Sequence, residues 1–295
     1  MRALASPASL KGVLSARAAA AALAEGLRRG GADAVEVPVA DGGEGTLDVL
    51  EGLLPEGVAA VESADVIGLG VVTGDVMRAS SRPLGELIKE VIAAGPDELI
   101  VFLGGTGTVD GGAGLLEVLD ELPVPTRAAC DVRAKLLDAV WVFAAQKGAT
   151  PEQLPELERR LLENVALQPY RETPGSGAAG GLGAALAALG AELVEGAPLV
   201  LELIGFGERL RDADLVITGE GSVDRSTWMG KAPEAVLRAC REHGVRCAIF
   251  GGRVLEAPED VELYELSGEP ARAHEDLVEL GTRLAASAER TGRTA

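Results

Sequence analysis

The chain has 295 residues, 47% of them hydrophobic and 25% charged, the composition of a globular protein of one large or two moderate domains. A formal net charge of −19 argues against partners such as nucleic acid or anionic membrane, and obliges any site for an anionic substrate to gather its few cations locally. Cys130, Cys240 and Cys247 show no CxxC spacing, so neither a disulfide framework nor a zinc site is expected, and without an apolar leader run after Met1 a cytoplasmic location is expected.

Residues 2–6 read as a short strand, followed by the loop Pro7-Ala8-Ser9-Leu10-Lys11-Gly12. Ser15 is placed to cap a helix over 16–29, where Ala and Leu recur at helical spacing. Residues 35–39 alternate as a strand, with Asp41-Gly42-Gly43-Glu44-Gly45-Thr46 at its carboxyl end and a helix from there toward Leu54. Strand, helix, strand, acidic glycine loop and helix form a βαβ pattern and point to a parallel sheet. The alternative for Asp41 and Glu44 is helix capping with a negative first turn.

Short strands are expected over 58–61 and 71–72, and Arg82 leads into a helix reaching Ala94. Residues 98–103 read as a buried strand, closed by Gly104-Gly105-Thr106-Gly107-Thr108-Val109-Asp110-Gly111-Gly112-Ala113-Gly114. The glycines permit close backbone approach to a ligand, the threonines supply hydroxyls, and Asp110 sits in the middle. Neither GxGxxG with a downstream ribose acid nor GxxxxGK[ST] is matched, which counts against a nicotinamide-dependent oxidoreductase and against a Walker loop. A strand over 128–132 carries Asp131 near its end, and Gln146-Lys147-Gly148 precedes a charged helix over 151–162 behind a Thr150 cap. A third glycine loop over 174–183, with Gly177, Gly180 and Gly181, runs into an Ala-rich helix; its small residues suit close helix packing equally well.

The densest chemistry lies over 215–233. Residues 215–218 read as a buried strand that Gly219, Glu220 and Gly221 break, putting a carboxylate at its carboxyl end. Asp224 follows, and Gly230-Lys231-Ala232-Pro233 opens a helix. Glu220 and Asp224 are hard oxygen ligands of the kind Mg²⁺ prefers. Lys231 adds a mobile positive charge, and a helix amino terminus offers N–H groups to phosphate. Together they suggest phosphoryl transfer, against the plainer alternative of a tight turn with a capping aspartate and a surface lysine.

In order, the motifs resemble the bacterial glycerate kinase family, the class built around PVADGGEGT. Val37-Pro38-Val39-Ala40-Asp41-Gly42-Gly43-Glu44-Gly45-Thr46 carries that block, and the run from Gly104 to Gly114 resembles the family's GGSATNDGGAG. Ala129-Cys130-Asp131-Val132, Gln146-Lys147-Gly148-Ala149, the Gly177–Gly183 run and residues 213–233 resemble further blocks. The resemblance implies Mg²⁺-dependent transfer of the ATP γ-phosphoryl group to D-glycerate. It also implies an α/β fold of two domains. One is Rossmann- or flavodoxin-like, from residues 1–60 and 200–295; the other is an α/β domain from 61–199. A homodimer is compatible with it.

Strand-end acids are the expected bases: Asp131 and Asp110 first, then Asp41. Lys11, Lys147 and Lys231 are candidate phosphate or carboxylate binders, with Ser9 in the same substrate-binding set, and Arg82 is suited to a carboxylate. Gly104, Gly105, Thr106, Gly107, Gly177, Gly180 and Gly181 are the expected nucleotide loops. Glu220, Asp224 and Glu44 are the expected Mg²⁺ ligands. The chain departs from the family pattern at Ala8, where an acid is usual, at Val109, where Asn is usual, and at Arg133-Ala134-Lys135, where TNP is usual. These departures support the alternative of an altered-substrate or non-catalytic homologue.

Overall fold

The computed structural model describes residues 1–291; residues 292–295, part of the expected terminal domain, lie outside the described residues. Nine strands are described: β1 (Arg2–Ala5), β2 (Asp33–Glu36), β3 (Val58–Glu62), β4 (Glu98–Leu103), β5 (Thr126–Cys130), β6 (Glu192–Glu195), β7 (Leu215–Val223), β8 (Arg246–Val254) and β9 (Glu262–Glu265). They form two sheets, β2-β1-β7-β8-β9 and β3-β4-β5-β6, in which every pairing is parallel. Helices fill the crossovers between paired strands, except that β8 reaches its parallel neighbour β9 through the short helix-free segment 255–261. The fold is α/β with two domains, one from both chain ends and one from the middle. The compact terminal unit comprises Met1–Asp41, Asp48–Leu50 and Val200–Ala295, and the central unit comprises Gly42–Leu47 and Glu51–Leu199.

Counted along the terminal unit alone, the strand order is 2-1-3-4-5, the flavodoxin-like arrangement. Its helix Ala16–Arg29 starts behind Ser15, whose hydroxyl accepts a hydrogen bond from the Ala18 amide at 3.2 Å. Leu23 and Leu27 face Leu277, Leu280 and Leu284 of helix Ala273–Thr291 in one core cluster. A chain this poor in aromatics packs by close backbone approach: a Cβ on Gly26 would meet the Val278 carbonyl oxygen at 2.1 Å. In the central unit, β4 is the buried axis. Leu99, Val101 and Leu103 pack with Leu84, Ile88, Leu115, Leu182 and Leu186.

Several elements differ from expectation. β2 ends at Glu36, not at 39: the Val37 and Val39 amides still donate to the Ala5 and Pro7 carbonyls, but Pro7 has no N–H to return the next ladder bond. Residues 71–72 form a turn in which both Val71 and Val72 amides donate to the Gly68 carbonyl. Gly219 and Gly221 do not break their strand: β7 runs to Val223, paired with β8 as far as Val254. Gly219 is needed for packing, since its Cβ would sit 2.2 Å from the Phe250 carbonyl oxygen. Thr150 caps nothing; the helix starts at Leu154, and the Thr150 amide donates to the Gln153 side chain at 2.9 Å.

Candidate active site

Open α/β sheets bind ligands outside the carboxyl ends of their strands, at the point where strand order reverses. In the terminal unit that point lies between β1 and β7. The chain leaving β1 stays on β7, with the Ser6 amide donating to Ile217 and the Ala8 amide to Gly219 at 2.9 Å. Ser9 and Lys11 follow on this loop, half-buried and exposed respectively. A Cβ on Gly221 would touch Leu10 and Lys11 backbone at an ordinary 3.6 Å, so the loop lies directly over the Glu220 segment.

Glu220 is the enclosed carboxylate of this edge, its side chain 14% exposed. Its Oε1 accepts from the Thr227 hydroxyl at 2.7 Å, and its Oε2 lies 3.6 Å from Lys231 Nζ. Thr227 Oγ1 also accepts from the Asp224 amide at 3.0 Å, so one buried hydroxyl ties both acids together. Burial pushes the Glu220 carboxyl up; Lys231 and Thr227 pull it back, while Asp41 and Asp224 add like charge. Burial acts the same way on Asp224, but the Ser226 hydroxyl and amide, at 2.6 and 2.7 Å, together with Lys231 and the Thr227 amide, hold that carboxyl below its ordinary value. Lys231 stands at the amino end of helix Ala232–His243. Ser226 and Thr227 organise this edge, and nothing in their spacing announces it.

In the central unit the carboxyl edge is made of glycine loops. Gly104 follows β4, and a Cβ there would lie 2.6 Å from Gly43 Cα and 2.7 Å from Asp131 Oδ2. Asp131 follows β5, its amide donating to the Leu103 carbonyl at 3.1 Å. Lys147 ends the turn Ala145–Lys147; its Nζ donates to Thr106 Oγ1 and to the Thr108 carbonyl, both at 3.0 Å. The residue is half-buried, with its ammonium pointing inward. Burial lowers the Lys147 pKa to about 8, opposed by Asp131 and Asp110. Glu44 is exposed, its Cβ 3.2 Å from the position of a Cβ on Gly105.

Other expected residues have different surroundings. Asp110 Oδ2 accepts from the Ser81 amide and hydroxyl, both at 2.8 Å, and from the Gly114 amide at 3.2 Å; Oδ1 accepts from the Gly112 amide at 3.1 Å. Arg82 is half-exposed and paired with Glu86 at 3.1 Å and Glu117 at 3.0 Å. Gly177, Gly180 and Gly181 are buried, and Cβ atoms on the first two would each come within 2.0 Å of a carbonyl oxygen, Lys135 and Thr108 respectively. Val109 is wholly buried in a core cluster with Leu136 and Val140. Among the described residues no three His, Cys, Asp or Glu side chains are grouped to hold a metal ion, and no helix is long and apolar enough to cross a membrane.

Residues 3–54, 51–122 and 121–294 match the family model described as the Glycerate kinase family. The chain is 34% identical to a glycerate kinase of Bacillus subtilis (strain 168), over 86% of this chain and 85% of that one. It is 32% identical to glycerate 2-kinase of Escherichia coli (strain K12), over 82% and 83% of the two chains. A crystal structure assigned to glycerate kinase 2 of Salmonella typhimurium LT2 superposes with a TM-score of 0.78 at 28% identity, covering 99% of each chain.

Proposed function

The chain belongs to the glycerate kinase family and is an ATP-dependent kinase, and from that premise we propose that it transfers the γ-phosphoryl group of ATP to a hydroxyl of D-glycerate. The observation carrying the reading is the group at the central unit's carboxyl edge, where Asp131, held against Gly104, shares its surroundings with the inward-pointing ammonium of Lys147. Phosphoryl transfer needs little covalent chemistry from the protein; it needs positioning and cations for the developing charge. Asp131 is the proposed acceptor of the glycerate hydroxyl proton. Lys147 is the proposed cation, strengthened by its low-dielectric surroundings. Asp110 is the loop's internal brace in this reading, since both its oxygens already serve four donors. Gly104, Gly105, Thr106 and Gly107 remain the proposed nucleotide-phosphate loop, with Gly177, Gly180 and Gly181 packed as its support. Arg82 is left outside the substrate set because Glu86 and Glu117 occupy its guanidinium.

The terminal unit's acids fit Mg²⁺. Burial and the like charges of Asp41 and Asp224 raise the Glu220 carboxyl, a strain that a divalent cation would relieve. Mg²⁺ usually takes one or two carboxylates and completes its shell with water and phosphate oxygens. Glu220 and Asp224 would hold it, and once bound it would supply positive charge at the carboxyl end of β7. Glu44, expected as a third ligand, belongs to the central unit and is proposed only as a neighbour of the Gly105 loop. Lys231, Lys11 and Ser9 are proposed to meet anionic groups at the β1/β7 end.

An ADP-release assay with ATP, Mg²⁺ and D-glycerate tests the proposal, with phosphorus NMR of the product reporting which hydroxyl is esterified. Glycerate-dependent release is expected. ATP binding by calorimetry without such release would sink the acceptor assignment. It would favour the altered-substrate reading, for which Ala8 at the β1/β7 switch point is the supporting feature.

A further inference from the structure

Glu62 ends β3, is 3% exposed, and is used by none of the chemistry above. Its Oε1 accepts from the Gly45 amide and its Oε2 from the Leu47 amide, at 3.0 Å for the latter. The next residue, Ser63, is wholly buried, and its hydroxyl oxygen accepts from the Gly104 amide at 3.4 Å. These adjacent residues thus touch both glycine loops of the central unit. The loop 42–47 has reason to need a clamp. Gly42 and Gly45 are left-handed, with φ of +90° and +88°, and glycine is the residue with most backbone freedom to lose. Internal bonds from the Thr46 hydroxyl and amide to the Gly43 carbonyl, at 2.7 and 3.2 Å, close the turn without fixing where it lies. Its placement matters because Gly43 Cα and Asp131 Oδ2 converge on Gly104 with no space for a methyl group. Burial raises the Glu62 carboxyl, and the Leu47 and Gly45 amides offset that cost.

We propose that Glu62 is a positioning residue that anchors the glycine loop 42–47 against Gly104, and thereby sets the surroundings in which Asp131 works as base. The second half rests on the reading of Asp131 given above; the first does not. A plain cap on the helix Thr46–Val49 would account for the two amide bonds but would not need a carboxylate only 3% exposed.

The test measures amide hydrogen exchange and steady-state turnover in the full chain, for wild type, Glu62→Ala and Glu62→Gln. In Glu62→Ala, exchange at residues 45 and 47 is expected to accelerate at least about tenfold, and kcat to fall about a hundredfold, the scale of an ångström-level misplacement. ATP binding by calorimetry is expected to stay within about threefold of wild type, because the clamp acts through the loop it places. Glu62→Gln keeps one acceptor oxygen and should fall between the two in both exchange and kcat; it also carries the test if the alanine variant does not fold. A merely structural role would lower the unfolding midpoint and leave kcat of the folded enzyme unchanged, and that result overturns the proposal. Unaltered exchange at 45 and 47 overturns it too. If wild type shows no glycerate-dependent turnover, the Asp131 reading falls and takes the second half with it, while exchange alone still judges the anchor.

Discussion

At the end of β7, Glu220 is enclosed by side chains: a threonine hydroxyl, a lysine, and two further acids that raise its pKa. At the end of β5, Asp131 is enclosed by backbone, with Gly104 and Gly43 pressed so close that no side chain fits between. Hydroxyls and a neighbouring cation can hold carboxylates that would otherwise repel one another, and a metal can later share them. Backbone enclosure fixes a position instead, and burial nearby leaves the Lys147 ammonium costly to keep charged. In the proposed reading the terminal edge accepts more positive charge, and the central edge holds one proton-accepting group in a fixed setting.

The sharpest way to break this comparison is Asp131→Asn, which keeps the shape and removes the proposed base. Glycerate-dependent turnover should fall by about 10²–10⁴-fold; turnover near wild type would leave the central edge without its proposed chemistry. The next effect is in pH. The folded pKa of Lys147 is lowered from 10.5 to about 8, so between those values the unfolded chain binds one proton more than the folded one. Stability therefore rises with pH across that window and is lost again as pH falls through it, by up to about 3 kcal/mol. Lys147→Met should flatten that part of a denaturant-measured stability profile, and an unchanged slope would show the ammonium to be better solvated than its contacts indicate. Gly104→Ala should cost about 1–3 kcal/mol and lower kcat together, because the new methyl meets both Gly43 and Asp131. Gly26→Ala, which clashes only with Val278 in the terminal unit's helix pair, should cost stability and leave kcat of the folded enzyme alone. The smallest effect calibrates the rest: Ser15→Ala, the loss of one exposed cap, should lower stability by about 1 kcal/mol.

Much of this was legible in the chain. The helix over 16–29 with its Ser15 cap, the buried strand over 98–103 and the parallel α/β class follow from periodicity and cap chemistry. Strand-end position singled out Asp131 and Glu220, and a helix start Lys231, as candidates whose roles are proposals. The same rule applied to β3 would have raised Glu62, which passed unremarked because its partners are backbone amides of residues 15 and 17 positions earlier. Gly219 reads as a turn and is a strand residue facing a carbonyl, while Gly177 and Gly180, read either as a ligand loop or as packing residues, lie against carbonyls. Sequence shows that a backbone can come close to something there, and only the fold shows to what. Arg82 and Asp110 illustrate the same limit, since their partners Glu117 and Ser81 lie 35 and 29 residues away.

The most direct test of the division between the two edges is an Mg²⁺ titration of glycerate-dependent ADP release in wild type, Glu220→Gln and Asp131→Asn. The account predicts that Glu220→Gln needs about tenfold more Mg²⁺ for half-maximal rate, as loss of a ligand group should require. It predicts that Asp131→Asn keeps the wild-type midpoint at a greatly reduced maximal rate. A Glu220→Gln enzyme with the wild-type Mg²⁺ midpoint, or an Asp131→Asn enzyme whose midpoint moves instead, would contradict it.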